Sequence, residues 1–261
     1  MNLKIRDAIN SDKNIVLKFC KNTFSWGDYI EHVWDFWISE GHLFLAEKEY
    51  PVGICHALYS KDQIWIEGIR VDPSFRRQNI ASKLITYAET IGKDKDLSFS
   101  YMLIDTENSI SLSMANSLMY DIFQTWNFYS LAPKINSINN VTFEKSLNLQ
   151  LYSHYVKSWR WFPIDRKTMN TLSEKNSIVK SCVAKKNSVA ILCDSEHFDK
   201  TLIVTLFSHS DESVLDLLSF IQNLGTEKNY ERIQILTQEK LPLFDTLEHK
   251  ISFHLMKKSL D

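Results

Sequence analysis

Ile69-Arg70-Val71-Asp72-Pro73-Ser74-Phe75-Arg76-Arg77-Gln78-Asn79-Ile80-Ala81-Ser82-Lys83-Leu84 is the stretch on which the reading of this chain turns. The residues before it, Ile64 to Val71, are apolar on both faces, the pattern of a central strand. Pro73 turns the chain and two arginines follow. Ile80, Leu84, Ile85, Ala88 and Ile91 then recur at helical spacing, with Gly92 expected to stop the helix. A strand-to-helix turn presents converging backbone N–H groups at the positive end of a helix, and Arg76 and Arg77 add charge. Such a turn is built to hold a pyrophosphate. The alternative is an ordinary turn with two surface arginines.

Working outward, Leu3 to Arg6 alternates as a short strand, and Ser11 or Asp12 caps a helix carrying Ile15, Val16, Phe19 and Cys20. Ile30, Val33, Trp34, Trp37 and Ile38 define a second helix. Extended segments are predicted at Leu43–Glu47 and Val52–Tyr59, then at Phe99–Ile104 and Ile122–Leu131, with a helix near Ser109–Met119 between the last two. The polar stretch 136–142 reads as a linker between residues 1–135 and 143–261. Beyond it, strands are predicted at Val189–Cys193, Leu202–Phe207, Arg232–Leu236 and Ile251–Met256, and a helix through Val214, Leu217, Leu218, Ile221 and Leu224 closed by Gly225. This order echoes the later half of the first region. The turn Ser208-His209-Ser210-Asp211-Glu212 is acidic and lacks arginine, so no pyrophosphate is expected there.

Composition narrows the function classes. With 261 residues, 44% of them hydrophobic, the chain can build one large or two small cores. Thirty basic against 32 acidic residues, a net charge of −2, argue against a general nucleic-acid binder. No apolar run approaches the ~18 residues that span a bilayer, and Met1 to Arg6 lacks a signal-peptide core. Cys20, Cys55, Cys182 and Cys193 show no C-x-x-C spacing and sit in apolar stretches, as buried free thiols of a cytoplasmic protein would. The eight histidines show no ligand spacing, so no metal is expected, and His56 and His154 read as satisfied structural residues.

Val71, Pro73, Arg76, Ala81 and Leu84 stand in the register V-x-P-x-x-R-x-x-G-x-G/A with Leu in the next turn, and so the stretch resembles the acetyl-CoA loop of the GNAT superfamily of N-acyltransferases. Asn79 stands where that family has Gly. Asn tolerates φ > 0 better than most residues, so the loop shape can survive. The predicted element order of the first 135 residues is also that of GNAT proteins, an α/β (α+β) fold with a mixed central sheet flanked by helices. The second region looks like a degenerate second GNAT-like unit. The wording E-G-x-R-V-x-P, from Glu67 to Pro73, looks most like the branch containing the histidine N-acetyltransferases, which also carry an extra carboxyl-terminal domain.

The resemblance implies acetyl-CoA as acyl donor, held by Ile69, Arg70, Val71, Arg76, Arg77, Gln78, Asn79, Ile80, Ala81 and Ser82, with Asn108 and Ser111 along the pantetheine arm. It also implies that the Val71 N–H stabilises the acetyl oxyanion, a kind of contact worth ~3–4 kcal/mol in acyl transfer. Glu67 is the only carboxylate in an apolar strand and is a candidate general base or binding group for the amine, or a structural residue paired with Arg70 or another arginine. Asn108-x-x-Ser111 and Tyr120 align with the family's last-helix motif, but Ala115 occupies the position of its usual Tyr acid and Met119 that of its Gly. For the acceptor, Trp26 and Tyr29 offer an aromatic wall and Asp28 a carboxylate for a cationic amine; equally, Asp28 caps a helix over core aromatics. Arg160, within Ser158-Trp159-Arg160-Trp161-Phe162-Pro163, reads as packing rather than carboxylate binding. The expected protein is a cytoplasmic monomer or homodimer that acetylates a small primary amine or amino acid, with no nucleic-acid or membrane partner. A protein amine as acceptor and a non-catalytic acetyl-CoA sensor are the rivals.

Overall fold

The computed structural model describes residues 2–21, 23, 27–137, 140–148, 152–183 and 185–261. They form two compact units, residues 1–123 with 254–261, and residues 124–253. The division does not fall at the polar stretch 136–142: most of the strand expected to end the first region counts with the second unit, and the chain's last eight residues count with the first.

In the first unit the order is β1 (Lys4–Asp7), α1 (Lys13–Cys20), α2 (Ile30–Glu40), β2 (Leu43–Glu47), β3 (Pro51–Ser60), β4 (Gln63–Val71), α3 (Ile80–Asp94), β5 (Phe99–Asp105) and α4 (Ser109–Ser117). The first five strands lie in the order β1-β2-β3-β4-β5, antiparallel except for the parallel pair β4–β5. β4 is thus central, as its unbroken apolar run requires. One face of the sheet packs on α3 through Ile80, Leu84, Ile85 and Ala88; the other packs on α1 and α2 through Val16, Ile30, Trp34 and Trp37. Asp12 does not head α1 by a side-chain cap. Its buried carboxylate takes both terminal guanidinium nitrogens of Arg6, at 2.7 and 2.9 Å, and the Ile9 N–H.

Gly92 does not stop α3, which runs two residues further. A Cβ there would lie 2.2 Å from Ile64 Cδ1, so Gly92 is where the helix comes nearest the sheet. α4 ends in a Schellman motif: Tyr120 N–H donates to Ala115 O and Met119 N–H to Asn116 O, with Met119 left-handed at φ 68. The residue at this position carries a steric cost of ~1–2 kcal/mol that Gly avoids, against ~0.4–1 kcal/mol of extra chain entropy in the unfolded state. Met119 is exposed, so little packing is lost with its side chain. Met119→Gly should therefore stabilise the protein by about 0.5–1 kcal/mol, read as an upward shift of the thermal midpoint.

The second unit holds β6 (Asp121–Leu131), β7 (Val141–Phe143), β8 (His154–Lys157), β9 (Arg160–Pro163), α5 (Arg166–Glu174), β10 (Ile178–Val183), β11 (Lys186–Asp194), β12 (Thr201–Phe207), α6 (Asp211–Glu227), β13 (Arg232–Thr237) and β14 (Leu247–Ser259), whose last six residues count with the first unit. Its strands run β6-β13-β12-β11-β10-β7, with α6 packed on them through Val214, Leu217, Leu218 and Ile221. Gly225 sits inside α6, where a Cβ would meet Ile233 Cδ1 at 2.6 Å. β8 and β9 make a hairpin whose turn residues Ser158 and Trp159 are both left-handed, and Arg160 is buried in it.

No helix among the described residues is long and apolar enough to cross a membrane. All four cysteines are free. Cys20 and Cys55 are buried as expected, Cys182 is exposed and Cys193 partly so.

Candidate active site

The site is built at an irregularity in β4. Between the pairs Ile54↔Arg70 and His56↔Glu67, β3 spends one residue and β4 two. The extra residue makes a β-bulge at Gly68–Ile69, with Gly68 at φ 64. Gly is required twice over: the backbone is left-handed, and a Cβ would lie 2.4 Å from Trp37 Cη2. Along a regular strand, residues three apart face opposite sides. The bulge cancels that alternation, so Glu67 and Arg70 both turn to the α2 side of the sheet.

β4 also parts from β5. Their register runs from Gln63↔Phe99 to Ile66↔Met102 and stops, although β4 continues to Val71 and β5 to Asp105. Glu67 stands at the point of parting. Asp72 N–H donates to Val52 O on β3, so by the alternation of a strand the Val71 N–H points the other way, to the side where β5 has left. The residues expected to supply the oxyanion donor and the base therefore share one opening, flanked by Ile69, whose side chain packs into the core under α3.

Glu67 is fixed by two contacts. Trp65 Nε1 donates to Oε2 at 3.1 Å, and His56 Nδ1 lies 2.9 Å from Oε1. His56 is wholly buried and stacked on Trp37 with ring centroids 4.7 Å apart. Its Nε2 faces Gly41 O at 3.1 Å and Glu40 Oε2 at 3.4 Å. From the sequence His56 reads as a satisfied structural histidine, since nothing in its neighbourhood marks it; the β3–β4 register brings it beside Glu67. Glu40, His56 and Glu67 are also the one His/carboxylate cluster with ligand atoms within 4.8 Å among the described residues. The two carboxylates address opposite ring nitrogens, whereas a metal takes one.

Arg70 binds Asp28 through two hydrogen bonds, Nε to Oδ2 at 2.7 Å and Nη2 to Oδ1 at 3.1 Å, and donates through Nη1 to Ile69 O. Its guanidinium is therefore engaged with Asp28 on the α2 side of the sheet. Asp28 Oδ1 also accepts from Ile30 N–H at the start of α2. The carboxylate read as a receiver for an amine is the buried partner of Arg70 and a helix-start acceptor. Tyr29 lies under the Arg70 guanidinium at 5.2 Å and edge-on to Trp37, and burial pushes its hydroxyl above its ordinary range. Trp26 lies outside the described residues.

In the loop, Asn79 adopts φ 57, ψ 24 immediately before α3, as its place in the motif demands. Arg77 is left-handed too, at φ 61. Ile80 seats the start of α3 on β3, where a Cβ on Gly53 would meet its Cγ2 at 2.9 Å. Arg76, Arg77, Gln78 and Asn79 are exposed, and Ala81 and Ser82 are half-buried in the first turn of the helix. Lys48, from the β2–β3 turn, bonds Gln78 Oε1 at 2.7 Å and lies over the Phe75 ring. It adds a third positive charge that the motif did not reveal. Asn108 spends its side-chain oxygen on the Ser111 N–H as the cap of α4, which accounts for both residues without a ligand. Ala115 is buried core. Tyr120, whose hydroxyl contacts Ser100 Oγ and Glu89 Oε1, is held protonated by burial and a neighbouring carboxylate.

Residues 12–118 match the profile of the Acetyltransferase (GNAT) family. Among solved structures, a GCN5-related N-acetyltransferase from Sphaerobacter thermophilus is similar over 99% of this chain and 96% of its own, at 10% identity and TM-score 0.66. A protein from Thermoplasma acidophilum provisionally assigned to the acetyltransferases is similar over 98% and 99%, at 12% identity and TM-score 0.66. One from Pyrococcus horikoshii with the same provisional assignment is similar over 98% and 89%, at 14% identity and TM-score 0.56. No curated protein matches the sequence. The likeness in fold thus extends over nearly the whole chain, and the family profile falls on the unit that carries Glu67 and the Arg76–Ser82 loop.

Proposed function

We propose that the protein is an acetyl-CoA-dependent N-acetyltransferase that acts on the primary amine of a small molecule or amino acid by direct transfer. The observation that carries this reading is the parting of β4 from β5 at Glu67, with Val71 N–H and the start of α3 beyond it. The chain's residues fit the donor. The left-handed Asn79 and the first turn of α3 present N–H groups, while Arg76, Arg77 and Lys48 supply charge for a pyrophosphate. Acetyl-CoA, when bound, supplies an activated acyl thioester. Val71 N–H is placed to polarise the acetyl carbonyl, and Glu67 to take the proton from the amine so that its lone pair can attack. A free amino acid such as histidine is the acceptor that the E-G-x-R-V-x-P wording favours.

A second reading, an acetyl-CoA sensor without turnover, is favoured by one observation: a buried Ala115 where related helices carry a Tyr acid. The thiolate leaving group, with a reference pKa of ~8.5, departs readily without that acid, so the first reading is preferred.

Thiol release from acetyl-CoA, followed with free amino acids, polyamines and short peptides, decides between them. Release with one amine class identifies the enzyme and its acceptor. Tight binding of acetyl-CoA with no release from any amine identifies the sensor. Independently, Arg76→Ala should weaken acetyl-CoA binding by about tenfold, the loss of one charge-assisted contact of ~1.5 kcal/mol, read by calorimetric titration.

A further inference from the structure

His56 is a wholly buried ring whose two nitrogens both face acceptors: Glu67 Oε1 at Nδ1, and Gly41 O and Glu40 Oε2 at Nε2. A neutral imidazole carries one N–H. With that hydrogen on Nε2, directed at Gly41 O, Nδ1 meets the Glu67 carboxylate lone pair to lone pair. The Glu67–His56 pair is then one proton short. A proton placed between Oε1 and Nδ1 turns an opposed contact into a charge-assisted hydrogen bond, and Glu40 sets a second carboxylate against the far side of the ring. The other groups around the ring are Trp37, stacked on it, Trp65, whose Nε1 donates to the far oxygen of Glu67, and His42, next to Gly41.

We propose that His56 is the acceptor of the proton that Glu67 draws from the substrate amine, so that Glu67 and His56 act as one base and Glu40 holds the resulting imidazolium. This rests on the acetyl-transfer reading above. In the step, an N–H bond of the amine breaks and its proton passes through the Glu67 carboxylate to Nδ1. The nitrogen lone pair forms the bond to the acetyl carbon. The C–S bond breaks and its electron pair leaves with the sulfur, which takes up the second proton that the nitrogen sheds as the amide forms. The proton returns through Glu67 to water as the product departs. Burial keeps the ring from exchanging protons with solvent directly, and the stack on Trp37 keeps Nδ1 aimed at Glu67.

The test reads the His56 ring itself, on protein labelled with 15N at histidine, between about pH 5 and 9. In the unaltered protein Nδ1 is expected to change from acceptor to donor in a single step. Glu40→Gln, which removes a carboxylate facing the ring, is expected to move that step to lower pH. In Glu67→Gln the amide donates to Nδ1, so the ring should remain the Nε2–H tautomer throughout. In kinetics, Glu40→Gln should move the acidic limb of kcat/KM for the amine to lower pH and lower kcat on the order of tenfold, leaving KM for acetyl-CoA in place. A ring fixed in one neutral tautomer at every pH overturns the proposal, as does stoichiometric zinc in the purified protein. The ring spectrum needs no substrate. A titrating ring in a protein that acetylates nothing would strike the acetyl-transfer reading; a fixed ring in an active enzyme would strike the role of His56.

Discussion

Glu67→Gln is expected to lower kcat for acetyl transfer by about 10²–10³-fold with little change in stability. The geometry makes this substitution unusually clean. The Gln carbonyl can accept from Trp65 Nε1 where Oε2 did, and its amide can donate to His56 Nδ1 where Oε1 stood. Both of these contacts keep a partner; what disappears is the capacity to take a proton. The size of the defect should depend on pH in one direction. A primary amine with a reference pKa of ~8 for an α-amino group, or ~10.4 for a lysine, is mostly protonated at neutral pH and requires the base. As pH rises the amine reaches the site already neutral, so the gap between wild type and variant should narrow by up to tenfold per pH unit. A gap of constant size from neutral to alkaline pH would instead make Glu67 a binding residue for a cationic substrate. KM for acetyl-CoA is expected to stay in place, because Glu67 lies at the parting of the strands and not in the Arg76–Ser82 loop.

What could be read in the sequence, and what could not, follows from where the information lies along the chain. The central position of β4 was legible because an apolar run on both faces has few other uses. The left-handed Asn79 was legible because a short motif fixes its place before α3. Gly92 and Gly225 misled for one reason: glycine as a helix stop and glycine as a point of close approach look alike until the opposite wall, Ile64 or Ile233, is known. The boundaries of the two compact units fall in β6 and β14, far in sequence from the polar stretch 136–142, because they follow from which strands those two join. In the site, Glu67 stood out as a lone carboxylate. The groups behind it did not, because His56 lies eleven residues away on the neighbouring strand and Glu40, which faces the far side of that ring, on a helix. The bulge that turns Glu67 and Arg70 to the same side is carried by Gly68, and the E-G-x-R-V-x-P wording around it does not by itself mark a bulge.

That bulge sets up the second large effect, in stability. Arg70→Ala should destabilise the first unit by about 3–5 kcal/mol, seen as a fall in the midpoint of its unfolding transition in urea. The Asp28 side chain is only 4% exposed, and its charge is balanced by two short bonds from Arg70. Removing the guanidinium leaves a desolvated carboxylate facing Tyr29, and it removes the ring's cationic neighbour at 5.2 Å. The cost is thus that of stranding Asp28 and exceeds what the pair contributes. Two further variants separate these quantities. Asp28→Asn on the Arg70→Ala background should recover most of the loss, because the stranded charge is gone and the amide oxygen can still accept from Ile30 N–H. Arg70→Met with Asp28→Leu, which replaces the pair by apolar side chains, should come within ~1–2 kcal/mol of the original protein. If the double variants were no better than Arg70→Ala alone, the ion pair itself would be holding α2 against the bulge. In that case the geometry around Glu67 should fail with it, and acetyl transfer should fall in all three variants alike. Retained transfer in the double variants would place Asp28 and Arg70 in the support of the site and outside its chemistry.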